Sequence, residues 1–153
     1  MTHETTMTLR PAAAAPSLGQ WTLALVRAAT GLLLVPHGAQ KLFGWFGGRG
    51  LAETAAFLAK SGYPASTVLA PAIGLLEFFG GIALAIGLLT RPVAAIVVAF
   101  MAGAVMFHAP NGFFWTNRGF EVPLLWGIVA LHFALAGAGP LSVDARLFRS
   151  GRR

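Results

Sequence analysis

The sequence predicts an all-α integral membrane protein, a four-helix bundle that forms one domain. Its mean hydropathy is +0.71 and only 10% of its 153 residues are charged, whereas about a quarter of a soluble domain is charged. Four apolar segments have roughly the length that a helix needs to cross the hydrocarbon core of a bilayer. The intervals between them are short and rich in glycine, proline and aromatic residues, so the sequence leaves no room for a separate soluble domain.

The predicted spans follow one another with little polar sequence between them. Their approximate ranges are 18–36, 65–89, 92–109 and 122–138. Beyond Pro36 polarity rises without a break, so we expect the first helix to persist for about another turn. Only Thr90 and Arg91 separate the second and third spans, which predicts an antiparallel hairpin with Thr90 capping the free amides of the third span. Residues 51–60 predict a short amphipathic helix in the first external loop, lying on the outer surface.

The two ends of the chain differ in composition, and each is predicted to be a tail outside the bundle. Residues 1–17, with a Pro-Ala-Ala-Ala-Ala-Pro run, predict a mobile tail, and residues 139–153 predict a basic tail with four of the eleven basic residues. Basic residues beside a span favour the cytoplasmic side, so we place the C-terminus in the cytoplasm, and an even number of spans places the N-terminus there too. A signal peptide is the competing interpretation of the first apolar segment, but no convincing cleavage site follows it.

The composition excludes several kinds of redox and binding chemistry. The chain has no cysteine, which excludes disulfides, thiol relays, covalently attached haem and cysteine-ligated iron–sulfur clusters in this chain alone. No histidine spacing predicts a metal site. Haem held by His37 and His108, which have matching predicted depths, stays an alternative. Four of the eleven basic residues form a basic end beside a span, which does not resemble a nucleic-acid groove, so no nucleic-acid partner is predicted.

Two charged residues lie inside the predicted spans. Arg27 is about 14 Å and Glu77 about 18 Å from the inner ends of their helices, at 1.5 Å per residue. An isolated charge at the bilayer centre costs roughly 2.5–3.5 kcal/mol, and small residues near both positions would let the helices approach. The sequence therefore predicts an Arg27–Glu77 intramembrane ion pair, acting as a structural clamp or in proton handling or ligand binding. His132 is either a member of this buried network or a lone satisfied histidine.

A second polar group is predicted near the outer rim, where three helices deliver ionisable residues to one level. His37, Lys41, His108 and Glu121 would meet there, beside aromatic residues that include Trp45 and Trp115. Hydrogen-bond donors next to aromatic faces are the mixture that a quinone site needs. The rim group is therefore a candidate quinone or ligand pocket. The alternative is a set of ordinary interfacial residues bonded to lipid headgroups.

Three segments, read together, resemble the DoxX family of small bacterial membrane proteins. They are RAATGLLL (27–34), HGAQKLFG (37–44) and EFFGGIALAIGLLTR (77–91). The resemblance implies a four-helix, multi-pass protein of the bacterial inner membrane, and it maps the family's basic and acidic positions onto Arg27, Lys41 and Glu77. Members have been linked to thiosulfate:quinone oxidoreduction, as a membrane subunit beside a second small subunit, and to oxidative-stress assemblies. Most members have no assigned reaction.

Three functions follow as hypotheses. The first is the membrane subunit of a quinone-linked oxidoreductase or redox-stress complex, with quinone as its cofactor and a soluble partner or second subunit supplying the chemistry that a cysteine-free chain lacks. The second is a non-catalytic scaffold in the lipid bilayer that recruits soluble partners. The third is transport of a small solute or proton, for which four short helices would need to form a homo-oligomer.

Overall fold

The computed structural model describes residues 15–149, and all regular secondary structure in that range is helical. The helices are α1 (Leu18–Phe43), α2 (Gly50–Lys60), α3 (Ser66–Ile86), α4 (Thr90–His108), α5 (Glu121–Ala136) and α6 (Val143–Arg149). One 3-10 turn lies in the loop after α1 and two lie in the loop after α4. The predicted mobile tail lies almost entirely outside the described residues. We call the end of the bundle with the loops after α1 and α4 the outer end, and the opposite end the inner end.

Three helices are long and apolar enough to cross a bilayer. They are Leu18–Phe43, Ser66–Ile86 and Thr90–Asn111, the last of which includes the 3-10 turn after α4. Helix α5 is equally apolar but has only 16 residues. The all-helical membrane fold is therefore confirmed, whereas the count of four spans stays a prediction.

Helix α1 extends beyond its predicted span, as expected. Its start is fixed by a capping box in which Ser17 and Gln20 exchange side-chain and backbone hydrogen bonds, an arrangement that satisfies two free amides of the first turn. The helix passes through Pro36 and ends at Gly44, whose φ of 73° is left-handed and open to glycine without strain.

Helices α1 and α3 run antiparallel with their backbones almost in contact. A Cβ added to Gly31 would lie 2.5 Å from Ala85 N, and one added to Gly38 would lie 2.8 Å from Gly74 O. Small residues let membrane helices approach this closely. The middle of α3, Leu76–Gly80, is a π-helical segment, a local widening that is often found at functional sites.

The turn between α3 and α4 differs from the prediction. It lies at residues 87–89, and Thr90 and Arg91 belong to the first turn of α4. The predicted Thr90 cap is wrong, because the Asp144 carboxylate accepts hydrogen bonds from Leu89 N at 2.7 Å and Thr90 N at 2.9 Å. A carboxylate from a distant segment thus takes the place of the local hydroxyl.

Helices α4 and α5 pack side by side and complete the bundle. One buried apolar cluster contains Leu34, Val97, Met101 and Ala130, and a second, nearer the inner end, contains Leu84, Ala94 and Phe133. The predicted basic tail is part of the fold as far as it is described, because its residues contact α1, the turn after α3 and the first residue of α4 and then form α6. Residues 150–153 lie outside the described range.

Helix α2 forms where the sequence predicts a short helix in the first external loop. It packs against α3 and the outer part of α1. Two of its side chains, Phe57 and Leu58, line the cavity described next. Its position flat on the membrane surface stays a prediction.

Candidate functional site

A partly open cavity of about 630 Å³ lies in the outer half of the bundle. Helices α1 to α5 and the loop between α4 and α5 all contribute to its wall. The ionisable side chains that line it are His37, Lys41, Tyr63, Glu77, His108 and Arg118. The aromatic side chains other than Tyr63 are Phe57, Phe100, Phe107, Trp115 and Trp126.

The closest polar contact in the cavity wall is an ion pair between α1 and α3. Lys41 Nζ donates to Glu77 Oε2 at 2.6 Å, and the side chains are 28% and 6% exposed. Glu77 lies in the first turn of the π-helical segment. The pair joins a nearly buried carboxylate to a half-buried ammonium at the edge of the open volume.

The predicted Arg27–Glu77 pair is wrong, and the helix register explains why. Since Gly31 faces Gly81 and Gly38 faces Gly74, the level of Glu77 on α1 lies eight residues from Arg27, about 12 Å by helical rise. Side chains tilt toward the N-terminus of their helix, so Arg27 points toward the inner end and away from Glu77. The same tilt brings Lys41 and Glu77 toward each other.

Arg27 instead binds three backbone carbonyls at the inner end. Nη1 donates to Leu84 O at 3.0 Å and Ala85 O at 3.1 Å, and Nη2 donates to Leu141 O at 2.7 Å. Carbonyls in the last turn of a helix lack intrahelical partners and attract cations. Arg27 is thus a cap for α3 and a tie to the segment after α5.

Gly87 makes room for this guanidinium. It has a φ of 74°, and a Cβ added there would lie 2.7 Å from Arg27 Cζ and 2.5 Å from Ser142 Cβ. Within the described part of the chain, Arg27 Nε is buried with no hydrogen-bond partner. At this position the guanidinium is therefore packed directly against Gly87 and Ser142.

The two cavity histidines have ring nitrogens available to a ligand. His108 Nδ1 lies 2.7 Å from Arg118 O, and because a carbonyl only accepts, Nδ1 carries the proton and leaves Nε2 free to accept. The His37 ring makes no hydrogen bond with any residue between 15 and 149, although its backbone carbonyl lies 3.4 Å from Lys41 Nζ. Both predicted histidines therefore line the same volume as Lys41.

Three of the predicted site residues need separate description. Trp45 packs on Phe43, with ring centroids 4.9 Å apart, outside the cavity wall. The Glu121 carboxylate accepts a hydrogen bond from Trp115 N at 2.8 Å, so it shapes the outer loop and does not line the cavity. Trp115, the remaining predicted aromatic residue, does line it.

His132 does not join a buried network with Arg27 and Glu77, so that interpretation is wrong. It is exposed on α5, contacts the ring of Phe133, and faces an apolar groove between α1 and α5. Arg27 and Glu77 each take partners from neighbouring segments, and His132 is not among them.

Residue types alone did not identify several cavity residues. Glu77, Tyr63, Arg118 and Trp126 line the cavity but were not part of the predicted rim group. For Glu77 a signal was present: glycines seven residues apart occur on both helices, at 31 and 38 and at 74 and 81. Matching these two glycine pairs in antiparallel register would have placed Glu77 toward Lys41.

The cavity combines the properties of a small-molecule site. Its volume falls within the 300–1,000 Å³ typical of ligand pockets, and most of its lining is apolar with a few polar groups. Lys41 and Arg118 are donors only, His108 Nε2 is an acceptor, and the aromatic residues offer flat faces. A planar ligand with oxygen atoms on its ring would match these groups.

Comparisons with known proteins identify the family of the chain. A model of the DoxX family matches residues 22–110. A protein of Bacillus subtilis (strain 168) named "Putative oxidoreductase CatD" is 29% identical over 125 residues, which cover 82% of this chain and 86% of that protein. An uncharacterised protein of Haemophilus influenzae is 38% identical over 80 residues, which cover 50% of this chain and 60% of that protein. No solved structure matches the chain significantly.

Proposed function

Since this chain belongs to the DoxX family of membrane proteins, we propose that it is the membrane subunit of a quinone-linked oxidoreductase, with the quinone bound in the outer cavity. The observation that supports this best is the placement of His37 and the Lys41–Glu77 pair in the wall of an aromatic-lined cavity of about 630 Å³. The quinone is the redox group that this chain contributes, and a second subunit or soluble partner supplies the electron donor.

The chemistry of the cavity wall suits a quinone ring. A quinone presents two carbonyl oxygens, which need hydrogen-bond donors, on a flat ring that needs apolar contact. Lys41 has donors beyond the one it gives to Glu77, and the His37 ring has no partner between residues 15 and 149. A hydrogen bond from a charged donor such as Lys41 contributes about 1.5–3 kcal/mol, and one from a neutral donor such as an imidazole about 0.5–1.5 kcal/mol. The two residues together would orient the ring.

Two further facts support the class of reaction and the need for a partner protein. The name of the Bacillus subtilis relative, which matches 82% of this chain, states an oxidoreductase. The chain has no cysteine, so any sulfur or thiol chemistry belongs to a partner. Both facts are consistent with a membrane subunit that binds the quinone while a partner protein carries the sulfur or thiol chemistry.

We propose a four-span topology in the bacterial inner membrane, with both termini in the cytoplasm. Helix α5 returns antiparallel to α4, and its 16 residues extend about 24 Å by helical rise. A bilayer can thin locally around a short span at modest cost. Arg91, Arg146 and Arg149 lie at the inner end, which the positive-inside rule assigns to the cytoplasm.

Quinone retention tests the proposal. The full chain is purified from membranes in mild detergent, and its extracted lipids are quantified for quinone by mass spectrometry. We expect close to one quinone per chain in the wild type and about tenfold less in His37→Ala, which removes one polar contact to the ring. The Lys41–Glu77 pair is intact in this variant.

His132→Ala is the matched control, because it removes another exposed histidine, one that faces the groove between α1 and α5. Its quinone content should equal that of the wild type. A wild-type protein without quinone, or an equal loss in both variants, would contradict the proposal. A soluble protein that co-purifies with a quinone-free chain would support the scaffold hypothesis.

A further inference from the structure

The segment after α5 is fastened to the inner end of the bundle. Asp144 N donates to Gly87 O at 2.8 Å, and the Asp144 carboxylate accepts from Leu89 N and Thr90 N. Leu141 O accepts from Arg27 Nη2 at 2.7 Å. Helix α6, which begins at Val143, therefore starts at the level where α3 ends and α4 begins.

The acidic side chain at this end of the bundle is engaged by backbone hydrogen bonds. Asp144 is the one acidic residue in the described part of the inner end, and both of its carboxylate oxygens accept backbone hydrogen bonds. Arg91 and Arg146 are exposed. Arg91 lies against the C-terminal cap of α5, since a Cβ added to Gly137 would be 3.2 Å from Arg91 Nε. The exposed charge of this end is thus basic.

Helix α6 also exposes large apolar side chains. Leu147 is 55% and Phe148 is 63% exposed, and Leu89 in the neighbouring turn is 52% exposed. Arg146 and Arg149 are three residues apart, a spacing that places two positions on one side of a helix. Apolar residues between arginines, at the level of the ends of membrane helices, are typical of a helix that lies in the interface of a bilayer.

We propose that α6 and Arg91 form a binding surface for anionic phospholipids, with Arg91 and Arg146 on the headgroup phosphates and Phe148 and Leu147 among the first methylenes of the acyl chains. An anionic lipid is the occupant whose charge is complementary to this surface. The exposed charges of the surface are basic, the Asp144 carboxylate caps α4, and Arg152 and Arg153 follow α6 in the sequence. The inference does not depend on quinone binding in the outer cavity.

The test is the lipid preference of the purified full chain. The protein is exchanged into mixed micelles with equal amounts of phosphatidylglycerol and phosphatidylcholine, and the bound lipids are counted by native mass spectrometry. We expect the wild type to retain phosphatidylglycerol in preference. The double variant Arg146→Gln/Arg149→Gln should lower the ratio of the two bound lipids by about tenfold, because each basic residue near an anionic surface contributes to the attraction.

The matched control is Arg49→Gln/Lys60→Gln, which removes two exposed basic side chains of the outer end that do not line the cavity and should leave the ratio unchanged. Helix content measured by circular dichroism verifies that each variant is folded. An equal loss in both double variants, or no preference in the wild type, would overturn the proposal. Unchanged lipid ratios combined with loss of a co-purifying acidic protein from Arg146→Gln/Arg149→Gln would identify a protein partner for this surface and overturn it too.

Discussion

At the scale of single residues, Arg27 and Lys41 on α1 have different roles because they lie at different levels of the helix and both side chains tilt toward its N-terminus. Arg27 is two turns nearer the inner end than the level of Glu77, and its guanidinium reaches three carbonyls in two directions. A planar guanidinium suits such a site, whereas the compact ammonium of Lys41 suits a single carboxylate. The sequence indicated correctly that buried charges need partners, but not which partners they take.

Exchanging the charges of Lys41 and Glu77 distinguishes the two pairings. Lys41→Glu or Glu77→Lys alone leaves two like charges in contact and should lower the free energy of unfolding by about 3 kcal/mol. The double variant should recover most of that loss, because the pair is restored with reversed sign. Thermal unfolding in detergent provides the measurement.

The companion exchange, Arg27→Glu with Glu77→Arg, should give no recovery. A carboxylate at position 27 would face the carbonyls that now bind the guanidinium, and it would remain far from position 77. Recovery in this exchange and not in the first would show that Arg27 and Glu77 are partners after all.

At the scale of helices, the sequence predicts the elements well and their register poorly. Apolar runs, caps and turn residues are local signals, and helices formed in all five places where they were predicted. The register of α1 against α3 depends on glycines that are far apart in sequence, and the cap of α4 depends on Asp144, 54 residues after Thr90. Such contacts form only when the bundle assembles, so local patterns do not contain them.

Gly31 tests the close packing of α1 on α3. In Gly31→Ala the new Cβ would lie 2.5 Å from Ala85 N, a backbone atom, so the helices must separate. We expect a loss of about 2 kcal/mol in the free energy of unfolding. Thermal unfolding in the same detergent measures it.

Gly103→Ala is the matched control for this substitution. It also changes a glycine inside a membrane helix, but a Cβ at Gly103 meets no atom within 4 Å. It should be neutral or stabilise the protein by up to about 1 kcal/mol, because alanine favours the helix. Equal losses in the two variants would contradict close packing at Gly31.

At the scale of the whole molecule, the cavity is a product of assembly. Depth along each helix follows from helical rise, so the sequence alone predicts that polar residues meet near the outer rim. Four of the predicted residues line the cavity: His37, Lys41, His108 and Trp115. The sequence did not locate Trp126 or Glu77 there, since their positions depend on helix rotation and register. The apolar lining and the polar residues together support the quinone proposal.

Quinone binding in the outer cavity can be measured directly by titrating the purified protein with a short-tailed, soluble quinone and following tryptophan fluorescence. Trp115 and Trp126 line the cavity, while Trp21 and Trp45 lie outside its wall. We expect saturable quenching in the wild type and in Trp21→Phe/Trp45→Phe, and its near-complete loss in Trp115→Phe/Trp126→Phe. Quenching that does not saturate, or that falls equally in the two double variants, would contradict quinone binding in the outer cavity.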